Sequence, residues 1–273
     1  MKLSYPVCAS ETKEAIMAWC GDFEEGVQYI GKNGYQGVEL LVKNPFEVNR
    51  QKIHEILKKN HMCISAIGTT PMQKEDHLFL LDENEKLREE AKRRLKGLIE
   101  LAGWFRVPLL LGKYRGTVKD ADFCRMKDLE EIISKADKFA SDKHIEIFVE
   151  PQNKDNINNL NTVKESVEWI QKNAYTNVRL LMDIFHMNKT EQNIIGTLER
   201  YHEYIGMVHM SDSGRKVPGF GEIDISKILD SLEKLKYKGY LSMEIKQIPD
   251  TKFAAALSSM SLQYMREVCG GRE

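Results

Sequence analysis

The sequence predicts an α/β fold of the (β/α)8, or TIM, barrel class, and three observations carry that prediction. Short apolar runs rich in β-branched and aliphatic residues alternate with longer segments whose apolar residues recur at helical spacing. Buried parallel strands and the helices connecting them read this way. Eight such pairs can be counted along the chain, and eight units close a barrel. The length of 273 residues suits a barrel of about 250. No Gly/Ser-rich linker, composition break or internal repeat divides the chain, so residues 1–273 are expected to form one domain.

The first strand is expected at Lys2–Cys8. A helix over Thr12–Ile30 follows, with Ala15, Ile16, Trp19, Phe23, Val27 and Ile30 on one face. A turn at Gly34-Tyr35-Gln36-Gly37 leads into a strand over Gly37–Val42, then a helix over Phe46–Asn60 with Ile53, Ile56 and Leu57 inward. The third strand, Met62–Ile67, runs into a loop around Gly68-Thr69-Thr70-Pro71. The charged run Asp82–Arg94 reads as a solvated helix face and opens a long helix ending near Gly103. The fourth strand is Val107–Leu111, followed by a helix over Lys119–Asp142. Four further strands are IEIFVE ending at Glu150, VRLLMD ending at Asp183, IGMVH ending at His209 and YLSME ending at Glu244. Helices over Thr162–Asn173, Ile194–Tyr204 and Ile225–Lys236 lie between them, and Thr251–Val268 closes the chain before Gly270-Gly271.

Composition narrows the function. Hydrophobic residues make up 42% and charged residues 30%, ordinary for a soluble chain with a sizeable core. Lys plus Arg (40) nearly balances Asp plus Glu (41), so no basic surplus points to nucleic acid. The cysteines Cys8, Cys20, Cys63, Cys124 and Cys269 are scattered, odd in number and free of CxxC spacing. That pattern argues for a reduced, cytoplasmic chain and against a disulfide framework or zinc ribbon. MKLSYPVCAS has no apolar leader core, and no run approaches the roughly 18 apolar residues of a membrane span, so neither secretion nor membrane insertion is expected.

The carboxyl ends of barrel strands form the active-site face. Glu150, Asp183, His209 and Glu244 end four successive strands and lie 33, 26 and 35 residues apart, about one strand–helix unit each. Singly, each has a structural explanation: Asp183 as a helix N-cap, Glu150 as an ion-pair partner, His209 as a satisfied core histidine. Together they bring three carboxylates and one imidazole to one mouth, where like charges repel unless a cation or protons intervene. The four are therefore the expected ligands of one divalent metal ion. Oxygen ligands with one imidazole suit Mn²⁺ first, with Mg²⁺, Co²⁺ or Zn²⁺ as alternatives.

Other residues share that mouth. Glu39 ends the second strand, where it either holds a substrate hydroxyl or braces a neighbour from behind. His186, just past the sixth strand, either addresses a substrate oxygen or belongs to the next helix's surface; loops after barrel strands carry specificity, which favours the first. The seventh loop, residues 212–224, is long and glycine-rich and ends in an N-cap candidate, Asp224. Within it Arg215 offers a forked donor to a substrate oxygen or carboxylate, and Gly219 and Gly221 let the backbone pass close to a ligand.

On these motifs the chain resembles the sugar phosphate isomerase/epimerase family, whose xylose isomerase-like barrels include the D-tagatose 3-epimerases. The resemblance covers the whole chain in architecture and is most specific from Glu150 to Glu244. It implies the same metal set, with Glu150 and Glu244 also acting as the acid/base pair. It implies a substrate-binding histidine at His186, three residues after Asp183, and an arginine at Arg215, six after His209, ahead of Pro218-Gly219-Phe220-Gly221. The family's Glu-x-x-Asn-Arg, with an acid close behind, stands here as Glu150-Pro151-Gln152-Asn153-Lys154-Asp155-Asn156. Asn153 fits and is expected to contact substrate. Lys154 replaces the arginine and Asn156 stands in the acid's place, so the exact sugar does not transfer.

The implied activity is a metal-dependent epimerase or isomerase of a ketose or sugar phosphate. Chelation by the metal polarises the carbonyl and stabilises the cis-enediolate left when the neighbouring C–H loses its proton. Returning the proton on the opposite face inverts the carbon; returning it to the adjacent carbon interconverts aldose and ketose. Dehydration begins with the same abstraction, so an inosose- or dehydroshikimate-type dehydratase is the alternative. An endonuclease IV-like phosphodiesterase needs extra histidines after the early strands, where Gly68-Thr69-Thr70 and Gly112-Lys113-Tyr114 offer none. Intact Glu150 and Glu244 argue against a sugar-binding barrel without turnover. The expected partner is a small sugar or polyol, without nucleic acid or membrane. Phe253–Met265 either packs on the barrel or makes a homodimer or homotetramer.

Overall fold

The structure, a computed structural model, describes residues 1–10, 12–118 and 123–270. Eight strands lie in sequence order and close into a barrel: β1 (Lys2–Cys8), β2 (Gly37–Leu41), β3 (Cys63–Gly68), β4 (Leu109–Leu111), β5 (Ile147–Val149), β6 (Val178–Asp183), β7 (Ile205–Met210) and β8 (Tyr240–Met243). Every neighbouring pair is parallel, including β8 with β1. The helices around them are α1 (Phe23–Lys32), α2 (Arg50–Lys59), α3 (Thr70–Glu75), α4 (Glu85–Phe105), α5 (Phe123–Asp142), α6 (Val163–Lys172), α7 (Ile184–Thr190), α8 (Ile194–Arg200), α9 (Ile225–Lys234) and α10 (Thr251–Gly270). The (β/α)8 expectation holds. Among the described residues no helix is long and apolar enough to cross a membrane.

Two apolar layers hold the barrel. Outside the sheet, helix stripes such as Val27 and Ile30 of α1, or Ile225, Ile228, Leu229 and Leu232 of α9, pack on the strands. Inside, Ala66, Leu110, Phe148, Leu181 and Met207 fill the lumen. Barrel interiors are packed cores rather than pores, and this plug is the floor on which a site at the mouth can stand. Register sets the height of the side chains: Asp183 pairs with His209, and His209 with Ser242.

The helix expected over Thr12–Ile30 begins at Phe23 instead. The Asp22 side chain accepts from the Glu25 backbone N–H at 2.8 Å and caps α1. Upstream, Trp19 bridges to Val7: its N–H donates to Pro6 O and its carbonyl accepts from Cys8 N, both at 2.9 Å. Trp19 is buried because its indole lies against the first turn of α1, with Nε1 donating to Asp22 O at 3.1 Å. A tertiary contact thus produces the apolar spacing that suggested one long helix. Similarly, α2 begins at Arg50 rather than Phe46, capped by Asn49, and α8 stops at Arg200 before a 3₁₀ turn at His202–Tyr204. α3 and α7 are additional short helices after β3 and β6. Residues 119–122, expected to open the helix over Lys119–Asp142, and Gly271 lie outside the described residues.

Asp22→Ala tests the corrected boundary. Loss of an N-cap costs about 1 kcal/mol, whereas alanine inside a continuous helix is the better helix former. Urea unfolding should show destabilisation; unchanged or raised stability would contradict a helix starting at Phe23.

Candidate metal centre

Glu150 follows β5, Asp183 ends β6, His209 lies near the end of β7 and Glu244 follows β8. One ligand atom from each lies within 4.8 Å of the others. From His209 Nδ1 the distances are 3.3 Å to Glu244 Oε2, 3.7 Å to Asp183 Oδ2 and 4.0 Å to Glu150 Oε1. Ligands bonded at about 2.1 Å to one ion stand roughly 3–4 Å apart. Among the described residues, Glu150 Oε1, His209 Nδ1 and Glu244 Oε2 are buried polar atoms without a hydrogen bond; Glu244 Oε2 is ion-paired, 2.7 Å from Arg215 Nη1. Buried polar atoms are almost always satisfied, so two orphan atoms converging with a carboxylate oxygen paired to Arg215 describe a place for a cation. The donor set fits a divalent ion.

The electrostatics follow from the crowding. Burial, then the charges of Glu244 and Asp183, hold the Glu150 carboxyl well above the usual carboxylate range. Burial also works to raise Asp183 and Glu244, but Arg215 and His209 outweigh it and lower both. For His209, burial opposes the charged ring, yet Glu39 and Glu244 hold the imidazole protonated well above its usual range. Its Nε2 is 2.9 Å from Glu39 Oε2, which also accepts from Ser242 Oγ at 2.6 Å. An Nε2–H donated to Glu39 leaves Nδ1 for a metal, the arrangement that histidine ligands ordinarily adopt. These contacts make Glu39 a brace behind His209, although it also lines the cavity.

Asp183 works twice. Oδ1 accepts from the His186 backbone N–H at 3.1 Å, capping α7, while Oδ2 accepts from Arg215 Nη1 at 2.6 Å. The N-cap reading and the ligand reading of this residue are therefore compatible. Capping places His186 in the first turn of α7, where burial depresses its imidazole and keeps it neutral. The backbone N–H of Asn153 faces His186 Nδ1 at 3.3 Å and its side-chain amide at 2.7 Å. Asn153 is thus buried behind the histidine. Arg215 Nη2 is 3.1 Å from His186 Nε2, and its guanidinium lies 4.3 Å over the Phe185 ring.

Sequence reasoning missed three supports. Asp212 organises the seventh loop: its carboxylate accepts from the backbone N–H groups of Ser213, Gly219, Gly221 and Ile223 at 2.7–2.9 Å. Gly219 (φ +88°) and Gly221 therefore bring the backbone close to the Asp212 carboxylate rather than to a ligand, as the sequence suggested. Arg115, fully buried, donates to the carbonyls of Gly112, Glu150 and Asn159 and to Asn159 Oδ1. Burial pulls this guanidinium down to about 10 against the charges of Glu150 and Glu165. Gly112 makes room for Glu150, since a Cβ there would stand 2.5 Å from Oε2. No local pattern marks Arg115. Asp212 had a faint signal, an acid opening a glycine-rich loop.

A cavity of about 180 Å³ opens above the centre, lined by Glu39, Glu150, His186, His209, Arg215 and Glu244 with Met17, Gln73, Lys113, Gln152 and Asn156 around them. Asn156 Nδ2 donates to Gln152 Oε1 at 3.4 Å, and Gln152 Nε2 donates in turn to Glu150 Oε2. Lys154 is exposed.

An eight-stranded parallel barrel with an acid-and-histidine cluster at its carboxyl mouth defines the class: a (β/α)8 barrel able to hold a metal ion. The sequence model of the xylose isomerase-like TIM barrel family matches residues 27–267, and the chain belongs to that family. It is 27% identical to 3-dehydro-D-guloside 4-epimerase of Escherichia coli (strain K12), over 81% of this chain and 86% of that one. It is 24% identical to L-ribulose 3-epimerase of Methylomonas sp. (strain DH-1), over 88% and 87%. The crystal structure of D-allulose 3-epimerase from Methylomonas sp. in complex with D-allulose is similar in fold, with a TM-score of 0.79 at 18% identity, covering 97% of each chain.

Two outcomes are expected of metal binding. Ligation must displace the protons that Glu150 and His209 hold, so affinity should fall as pH falls, by about tenfold per pH unit for each proton displaced. Calorimetric titration with Mn²⁺ in buffers of different ionisation enthalpy measures that release, and pH-independent affinity would remove both residues from the ligand set. Gly112→Ala, which crowds Glu150, should weaken Mn²⁺ by about 10- to 100-fold, as loss of support around a ligand does.

Proposed function

We propose that this protein is a metal-dependent ketose epimerase of the 3-epimerase type. In this reading Glu150, Asp183, His209 and Glu244 hold one divalent ion, Mn²⁺ by preference, and Glu150 and Glu244 move the proton. The observation that carries it is the convergence of Glu150 Oε1, His209 Nδ1 and Glu244 Oε2, buried and without hydrogen bonds, beside a cavity at the barrel mouth. The epimerase activities of the relatives support the reaction class.

A bound divalent ion supplies Lewis-acid polarisation of a substrate carbonyl and a counter-charge for the negative charge that develops as the adjacent C–H ionises. The protein's part is placement. Glu150 and Glu244 stand just past the ends of β5 and β8, three strands apart in an eight-strand ring, and so address a substrate lying across the mouth from different sides. A proton removed by one carboxylate and returned by the other inverts the carbon. His186 Nδ1 faces the Asn153 amide, and Nε2 lies 3.1 Å from Nη2 of Arg215, a group that can only donate; both side chains line the cavity and are placed to hold a substrate oxygen. Asn153 acts through His186, and Glu39 through His209.

Proton NMR in deuterated water tests the reading, using ketoses, ketose phosphates and an inosose, with Mn²⁺ and after chelation. Metal-dependent deuterium uptake at C3 with appearance of the epimer is expected. Glu150→Gln and Glu244→Gln should each reduce it by about 10³-fold or more while leaving the fold intact. Aldose formation would make the enzyme an isomerase, and loss of water from the inosose would make it a dehydratase; either sinks the epimerase assignment.

A further inference from the structure

The first βα connection carries a pair of thiols that the metal centre does not use. Cys8 ends β1 and is buried; Cys20 is exposed; both are free thiols, and their sulfurs lie 3.2 Å apart. The backbone holds them there. Trp19 N–H donates to Pro6 O and Cys8 N–H to Trp19 O, so the residues flanking the two sulfurs are joined as a short parallel bridge. Disulfide sulfurs are about 2.05 Å apart, so roughly 1 Å of closure separates this pair from a bond. The two thiols are unequal. The Cys20 thiol is drawn down to about 7, chiefly by its hydrogen bond with Cys8, and the same bond together with burial pushes Cys8 up. Cys8 packs with Ala18 and Leu41, so a reagent meets Cys20 first.

We propose that Cys8 and Cys20 form a reversible disulfide, with a small-molecule disulfide such as oxidised glutathione as the oxidant, tying the first βα connection to the barrel mouth. The Cys20 thiolate attacks one glutathione sulfur, the glutathione S–S bond breaks, and one reduced glutathione leaves. Cys8 then gives up its proton and attacks the Cys20 sulfur, expelling the second. Two protein thiols become one disulfide as one glutathione disulfide becomes two thiols. The connection so fixed carries Met17, which lines the cavity, and is docked farther along by the Lys13 backbone N–H on Glu75 Oε1 at 2.6 Å. Oxidation therefore acts on a wall of the site without touching its ligands.

The full-length protein is incubated with oxidised glutathione, acid-quenched and digested with trypsin. The peptides spanning residues 3–13 and 14–32 are expected joined through Cys8 and Cys20, and released by dithiothreitol. Exposed Cys63 reports reagent access in the same sample. Cys20→Ser, at an exposed position, should fold normally and yield no joined peptide. The melting temperature of oxidised wild type should rise by about 3 °C or more over the reduced form, with no rise in Cys20→Ser. A glutathione adduct persisting on Cys20, or free Cys8 and Cys20 where Cys63 has reacted, would overturn the disulfide. A joined pair with an unchanged melting temperature would overturn its role as a clip.

Discussion

Four carboxylates crowded around one imidazole at the mouth of the barrel set the terms for everything near them. Glu39, Glu150 and Asp183 are buried, and the Glu244 side chain is 16% exposed. In surroundings of low dielectric, like charges at such separations cost several kcal/mol, and apolar packing in their place would be the more stable choice. The protein meets the repulsion with what lies at hand. Arg215 pairs with Asp183 and Glu244 at once, His209 holds its proton against Glu39, and Glu150 keeps its own. The cluster is stressed by construction, and a divalent ion held by Glu150, Asp183, His209 and Glu244 would supply two positive charges where the carboxylates crowd.

Holding such a cluster in register demands rigid loops, and two buried charges supply them in complementary ways. Arg115 gathers carbonyls: its guanidinium joins the exit of β4 at Gly112, the exit of β5 at Glu150 and the turn at Asn159. Asp212 gathers N–H groups, four of them, from the loop that follows His209. A cation that clamps backbone acceptors and an anion that clamps backbone donors each replace a stretch of secondary structure where none can form. Neither charge needs a side-chain counter-ion. Both therefore leave the carboxylates of the centre free for ligation.

The barrel and the convergence of Glu150, Asp183, His209 and Glu244 are legible in the sequence because both depend on period and spacing. A buried strand is a short apolar run, its carboxyl end is the first charged residue after it, and the strand–helix unit repeats at a nearly fixed length. What was hidden depends on contacts distant in sequence. The start of α1 was misplaced because Trp19 fits helical spacing while its backbone pairs with β1, although Asp22 followed by Glu25 is an N-cap signature. α3 and α7 are each under eight residues, too short for a periodic stripe to declare itself. Pro71 in the first turn of α3 was the available mark. Arg115 ends a single 3₁₀ turn, Lys113–Arg115, and nothing local distinguishes a guanidinium that will be wholly buried from one on the surface. Gly219 and Gly221 were correctly noticed and differently employed, since spacing cannot tell a glycine that approaches a ligand from one that approaches an aspartate.

The same division applies to the mouth of the barrel. Residues on strands or at their ends are fixed by register, since a shift of one residue turns a side chain to the opposite face; loop residues are free to change. Lys154 and Asn156, where the sequence departs from the motif that the resemblance implies, both lie in the loop after β5. Yet Asn156 is not independent of the centre. Its amide donates to Gln152 Oε1, which turns the Gln152 amide nitrogen toward Glu150 Oε2. A carboxylate at 156 would set acceptor against acceptor and favour the reversed glutamine, whose oxygen would then face the Glu150 carboxylate. Asparagine here and a glutamine donor on Glu150 belong together. Through that two-step relay a change in the loop reaches the oxygen of Glu150 that points away from His209, and with it the basicity of a residue proposed for proton transfer.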